Sequence, residues 1–325
     1  MKQKFLVTGG TGFLGASLVK KLLREGHTIR VLDNDSRGRR NRLAEEENQI
    51  ELIIGDIRDP HVVEQAAKGC HSVVHMAFIN GTEFFYSKPQ LVLEVGVKGM
   101  INVLDACRAN NIKDLVLISS SEVYQEPPAI PTPENVPLII PDVHNPRYSY
   151  GGGKIISELL ALNYGRKDFE RVVIIRPHNV FGPDMGWEHV VPQFILRAHD
   201  SIKEQPKGSL NFPIQGQGTE TRSFVYIDDF TDGLVLAIEK GKHQEIYHVG
   251  TEEELSIASV AKKVVAAFGR EINLEPRPLN KGSAARRCPD ISKIKKLGYQ
   301  PKYNFEKALA LSIDWYTKHA NERPN

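Results

Sequence analysis

The chain has 325 residues, 41% hydrophobic and 25% charged, with a formal net charge of +2. That length fits one large domain or two modest ones, and the near balance of charge gives no reason to expect a nucleic-acid partner. No run of about 18 apolar residues is present, so no membrane span is expected. Met-Lys-Gln-Lys leads at once into a strand, which leaves no room for a signal peptide and points to the cytoplasm. Cys70, Cys107 and Cys288 show no CxxC or Cys/His spacing, so they read as neutral thiols in a reducing compartment, with no metal site.

Phe5-Leu6-Val7 is an apolar run ended by glycines and predicts a buried parallel strand. From Gly12 to Glu25 the apolar positions follow helical spacing, and Gly26 ends the helix. Further strands are expected at Thr28–Leu32, Ile50–Ile54, Ser72–His75, Leu115–Ile118 and Arg171–Ile175. Helices are expected at Gln90–Asn110 and Ser149–Arg166. This alternation predicts βαβ units, hence an α/β fold with a Rossmann-type, doubly wound parallel sheet. After about residue 180 the rhythm changes, with short strands at Phe224–Ile227 and Ile246–Val249 and helices at Val260–Phe268 and Phe305–Lys318. Residues 1–180 thus read as a dinucleotide-binding domain and 181–325 as a smaller, interleaved substrate-binding region. The proline-rich stretch Gln125–Pro146 reads as a loop over the site.

Thr8-Gly9-Gly10-Thr11-Gly12-Phe13-Leu14-Gly15 stands between the first strand and the first helix. Gly9, Gly12 and Gly15 let the backbone approach a pyrophosphate at a helix N-terminus. Asp33 closes the second strand, where a carboxylate accepts from ribose hydroxyls and repels a 2′-phosphate, favouring NAD. Arg37, Arg39, Arg40 and Arg42 keep a phosphate-binding alternative open. Asp56 is a candidate for the adenine amine, and small Ala77 would admit the cofactor beside a structural His75.

Tyr150 and Lys154 lie four residues apart and share a helix face. An ammonium near a phenol stabilises the phenolate, so the spacing predicts a tyrosine pKa lowered toward the working pH. Three glycines between them, Gly151, Gly152 and Gly153, each cost about 1 kcal/mol relative to alanine in a helix. They are expected to leave room for cofactor or sugar.

Together with Gly55-Asp56, Ser119-Ser120-Ser121-Glu122-Val123-Tyr124, Arg176 to Pro183 and Arg222 to Tyr226, these motifs run in one order over nearly the whole chain. In this the chain resembles the extended short-chain dehydrogenase/reductase family, the nucleotide-sugar epimerases and dehydratases. The resemblance implies a catalytic set of Tyr150, Lys154, Ser120 and Glu122. It implies NAD held by Gly9, Gly12, Phe13, Leu14, Gly15, Asp33, Asp56, Ile57, Ala77, Ser119, Tyr150, Lys154 and Pro177. A nucleotide-sugar substrate would meet Ser121, Asn179, Arg222 and Arg287, and a homodimer would form through the two long helices.

The implied reaction is oxidation of the sugar 4-hydroxyl to a transient ketone. Glu122 favours proton chemistry at C5 over plain 4-epimerisation of the UDP-glucose type. Decarboxylation of a UDP-glucuronate-type substrate, with Arg287 against its carboxylate, and a non-catalytic NAD sensor are the alternatives. Departures from the family pattern are Ser121 in place of an aspartate, Gly96 in place of an asparagine, and Met76-Ala77-Phe78 in place of a leucine and paired alanines.

Overall fold

The computed structural model describes residues 2–278 and 284–323. The elements begin with β1 (Lys4–Thr8), α1 (Phe13–Arg24), β2 (Thr28–Asp33), β3 (Ile50–Ile54), α2 (Pro60–Ala67) and β4 (Ser72–His75). Next come α3 (Thr82–Ser87), α4 (Pro89–Leu93), α5 (Gly99–Ala109), β5 (Asp114–Ile118), α6 (Tyr148–Gly165) and β6 (Arg171–Pro177). The second half holds β7 (Val180–Phe181), α7 (Val190–Glu204), β8 (Leu210–Gln215), β9 (Thr221–Ser223), β10 (Val225–Tyr226), α8 (Ile227–Lys240) and β11 (Glu245–Val249). It closes with β12 (Glu254–Ser256), α9 (Ile257–Ala267), β13 (Ile272–Arg277), β14 (Arg286–Arg287), α10 (Ser292–Lys295) and α11 (Phe305–Lys318).

Seven parallel strands form the central sheet in the order β11-β6-β5-β4-β1-β2-β3. Both of its faces are covered. In β1, Phe5 and Val7 enter one apolar cluster while Leu6 enters the other. A strand buried on both sides has no polar face, which is why these runs read as continuously apolar. Leu6 is fully buried, so Leu6→Ala is expected to cost about 2–5 kcal/mol in urea unfolding. Among the described residues no helix is long and apolar enough to cross a membrane.

The expected Gln90–Asn110 helix is divided. A π-helical turn at Glu94–Lys98 separates α4 from α5, with Gly96 at its centre. Strand β11 lies beyond residue 180 yet is the seventh strand of the main sheet, paired with β6. Its connection, α8, packs back on α1, where Ser17 and Thr231 share a 2.7 Å hydrogen bond. The short strand expected at Phe224–Ile227 shrinks to β10, because Ile227 already begins α8. Asp228 and Asp229 follow in the first turn, where carboxylates complement the helix dipole.

The sheet order changes direction between β1 and β4. Ligands of such sheets bind outside the carboxyl ends of the strands at this switch point. Here those ends bring together Gly9 after β1, Asp33 of β2, Ala77 after β4 and Ser119-Ser120 after β5.

Candidate active site

A cleft of about 500 Å³ runs along that edge. Its walls include Gly9, Gly12, Phe13, Leu14 and Gly15 from the first turn, with Asp33, Asp56, Ile57 and Ala77 from the strand ends that follow. Gly9 has φ +75°, and a Cβ on it would come within 2.7 Å of the Ala77 nitrogen. A Cβ on Gly15 would stand 2.2 Å from the Gly9 carbonyl oxygen. Only glycine closes the turn this tightly and keeps α1 aimed at the cleft.

Asp33 is fixed by two backbone donors, Thr11 N to Oδ2 at 3.0 Å and Asp35 N to Oδ1 at 2.9 Å. Asp56 does not stand alone. Arg58 Nη2 meets it at 2.7 Å and holds its carboxyl below the usual range, with a smaller contribution from Asn34. The arginines considered for phosphate are matched to carboxylates: Arg37 to Glu188 at 3.0 Å, Arg40 to Asp35 at 2.9 Å and Arg42 to Asp184 at 2.7 Å. Arg39 lies 3.8 Å from Asp184 and faces the Trp187 ring. Trp187 is a core anchor against Trp315 and Tyr316 as well as part of the cleft wall.

Ser119, Tyr150, Lys154 and Pro177 do not line this cleft themselves. Lys154 and Tyr150 adjoin it through two residues that do. Lys154 Nζ donates to the Ile118 carbonyl at 2.6 Å and lies 4.1 Å from the centre of the Phe78 ring. Phe78 also meets the Tyr150 ring edge-on at 5.1 Å, and Phe85 stacks on it at 5.0 Å. Pro177 ends β6, against Val249 of β11.

Burial raises the Tyr150 pKa above its ordinary value, opposed by a hydrogen bond with Ser120. The lowering expected from Lys154 is absent here, because Nζ sits 5.9 Å from the phenol ring centre and donates to Ile118 instead. Burial also brings Lys154 down to about 7, with Glu158 opposing. An unfolded lysine stays protonated to about 10.4. Between those values the unfolded chain binds the extra proton, so this lysine's contribution to stability rises with pH from about 7 upward. Lys154→Met is expected to flatten that rise when unfolding midpoints are compared between pH 7 and 9.

The three glycines of α6 face protein rather than open space. A Cβ on Gly151 would meet Gln125 at 2.7 Å, on Gly152 Ile140 at 3.2 Å, and on Gly153 Phe78 at 3.0 Å. Room for neighbouring side chains therefore replaces the expected room for cofactor or sugar.

Ser120 caps a short turn, Ser121–Val123, by accepting from the Glu122 nitrogen at 3.1 Å. Glu122 pairs with Arg287 at 2.6 Å. Burial alone would raise the Glu122 carboxyl, but Arg287, Arg147 and Arg222 outweigh it and hold the group below the usual range. Arg222 and Arg287 are register partners of β9 and β14, and burial with Arg287 nearby lowers Arg222 to about 10. One carboxylate thus sits among three guanidiniums, a site suited to an anion. Ser121 is buried in the same turn. Asn179 adopts φ 39° and gives its amide to the Ser223 carbonyl at 2.8 Å. The Gln125–Pro146 loop is stapled to the arginine segment, with Thr132 N on the Cys288 carbonyl and Asp290 N on the Thr132 carbonyl, both at 2.8 Å.

Beneath the site lies a buried polar network. Arg176 forks onto Glu158 at 2.6 and 2.9 Å and also bonds Tyr124, whose hydroxyl meets His248 Nε2 at 2.6 Å. Ser119, expected at the cofactor, gives its hydroxyl to Glu158. Sequence reasoning passed over Glu158, although it follows Lys154 by one helical step of four on the same face. Arg147 and Phe85 carried no motif signal.

The model of the NAD dependent epimerase/dehydratase family matches residues 5–250. The chain belongs to this family. It is 27% identical to the UDP-N-acetyl-alpha-D-glucosaminuronate decarboxylase of Bacillus cytotoxicus, over 99% of this chain and 100% of that one. The solved dTDP-glucose 4,6-dehydratase of Streptomyces venezuelae, with NAD bound, superposes with a TM-score of 0.87 at 28% identity, covering 98% of each chain. The UDP-glucose 4-epimerase of Thermotoga maritima, solved with UDP-glucose, gives 0.86 at 25% identity, covering 98% of this chain and 99% of that one. The family is NAD-dependent, and the cleft fits that cofactor: glycines where a Cβ would collide, a helix N-terminus, and a fixed carboxylate at Asp33.

Proposed function

We propose that this enzyme oxidises the 4-hydroxyl of a nucleotide-activated hexose and then uses Glu122 on C5 of the resulting ketone. The observation that carries this reading is continuity of contacts. Ser120 opposes the rise in the Tyr150 pKa, its hydroxyl receives the Glu122 nitrogen at 3.1 Å, and Glu122 is held ionised by Arg287 at 2.6 Å. NAD, when bound, supplies a hydride acceptor that later returns the hydride. The Gly9–Gly15 turn and Asp33 would hold its diphosphate and ribose, and Lys154 its nicotinamide half.

Tyr150 would receive the O4 proton as a phenolate while Ser120 orients the alcohol; the buried phenol must first give up its own proton, a loss that the positive charge of a bound nicotinamide would favour. A ketone at C4 acidifies the hydrogen on C5, which an ionised Glu122 is equipped to remove. Arg222 and Arg147 would neutralise the diphosphate.

A second reading is decarboxylation of a nucleotide hexuronic acid. Ser121 has no acidic proton to help expel a C6 hydroxyl, whereas Arg287 offers a guanidinium suited to a C6 carboxylate. A carboxylate β to a ketone leaves as carbon dioxide, its bonding pair flowing toward O4, and the carbon left behind then needs a proton donor.

Incubation with nucleotide hexoses and hexuronates, read by mass spectrometry, separates the readings. Loss of water or exchange of the C5 hydrogen with deuterated solvent supports the first, and loss of carbon dioxide the second. An unchanged mass with inverted C4 and no exchange would return the reaction to plain epimerisation. Glu122→Gln is expected to lower turnover roughly 10²–10⁴-fold while the 340 nm signal of hydride transfer survives.

We further propose a homodimer through α6 and the α4–α5 pair, because Leu159, Ile156 and Leu93 expose apolar surface there. Leu159→Glu is expected to halve the mass measured by sedimentation.

A further inference from the structure

Phe78 follows β4 and borders the dinucleotide cleft, but its ring also reaches between the π-helical turn and α6. A Cβ on Gly96 would lie 2.3 Å from the ring's Cζ, and one on Gly153 3.0 Å from it. The ring fits because both positions lack side chains. Packed interiors do not accommodate such overlaps cheaply.

The π-helical turn presents Gly96 to this slot, and Ser157 ties the two helices together, bonding the Gly153 carbonyl at 2.8 Å and the Gly96 carbonyl at 3.5 Å. The same ring meets the two groups of the proton step. Lys154 Nζ stands 4.1 Å from the ring centre, and Tyr150 meets its edge at 5.1 Å and 85°. Phe85 covers a face of the phenol at 5.0 Å and 19°. Apolar carbon thus borders Lys154.

We infer that Phe78 is a positioning residue: wedged between Gly96 and Gly153, it fixes Tyr150 and Lys154 relative to each other. This rests on the reading of Tyr150 as acceptor of the O4 proton. In that reaction the hydride leaves C4 with both bonding electrons and later comes back. The O4 proton passes to the Tyr150 oxygen and is likewise returned. Nothing is consumed between the two transfers, so both need Tyr150 and Lys154 held in the same places, and a displaced pair slows each of them.

Phe78→Ala, Phe78→Leu, Gly96→Ala and the double variant Phe78→Ala/Gly96→Ala test the inference in the full-length holoenzyme. Hydrogen exchange read by mass spectrometry is expected to rise roughly tenfold in segments 94–99 and 150–157 of Phe78→Ala, as a local opening. Its kcat is expected to fall roughly 10- to 100-fold, as misplacement of reacting groups does, with KM for the sugar nearly unchanged. Phe78→Leu should recover most of the rate. Gly96→Ala should harm the wild type yet add nothing to Phe78→Ala, the non-additive pattern of groups in contact.

Unchanged exchange in Phe78→Ala, additive effects of the two substitutions, or a loss confined to KM would overturn the inference. If Phe78→Ala does not fold, Gly96→Ala carries the same exchange and kcat criteria. A wild type inert on every nucleotide sugar sinks the proposed reaction instead, and the exchange and additivity of melting temperatures still decide the wedge.

Discussion

Replacing Tyr150 by Phe is expected to remove nearly all turnover, roughly 10²–10⁴-fold, because the positioned proton acceptor is lost. The ring should stay where it is. Phe85 and Phe78 hold it by stacking and edge contacts that need no hydroxyl. Deletion of the oxygen takes one hydrogen bond from Ser120 and leaves the Gly9–Gly15 turn and Asp33 untouched. The variant should therefore bind NAD at full stoichiometry and melt within a few degrees of the wild type. Single-turnover absorbance at 340 nm with a competent sugar tests the chemical step directly. A variant that reduces NAD at the wild-type rate would show that another group takes the proton. Should the chain instead act as a cofactor sensor, Tyr150→Phe would leave its binding response intact.

The second large effect lies under the site. Glu158 and Arg176 each have only 2% of their side chain exposed and bind each other by two hydrogen bonds. Glu158→Ala strands a buried guanidinium, for which a loss of about 3–5 kcal/mol is expected in equilibrium unfolding. Removing both charges together, as in Glu158→Met/Arg176→Met, should be far milder, because neither ion is left without a counter-charge. Urea unfolding of the two single variants and the double variant measures the difference. Equal losses in all three would mean that the pair is held by packing rather than by charge. Ser119 reports on the same network: its hydroxyl faces Glu158, so Ser119→Ala should disturb stability more than NAD affinity.

Much of the sheet was legible because a strand covered on both faces has only one way to look in sequence. β1, β5 and β6 carry unbroken apolar runs next to glycine or polar breaks, whereas the edge strand β3 is interrupted by Glu51. The π-helical turn was hidden because Glu94–Lys98 continues the helical run between α4 and α5 and no local residue pattern marks it. β11 read correctly as a strand, but its place in the main sheet depends on α8 packing against α1, a contact between distant residues. In the site, Glu122 and Arg287 were each visible, while their pairing spans 165 positions and no local pattern encodes it. The tyrosine–lysine spacing gave a shared helix face but not the direction of Nζ, which Ile118 decides. Glycine spacing told where a ring could fit, not which ring would fill it.

The parallel pairing of β14 with β9, and the staple from Thr132 to Cys288, give the chain a temporal order. Residues that wall the dinucleotide cleft end at His189, so a nascent polypeptide has made them all before Arg287 is translated. Glu122 acquires its counter-ion only when the C-terminal segment arrives. Synthesis thus supplies the residues of the cofactor shelf first and the counter-ion of the carboxylate last.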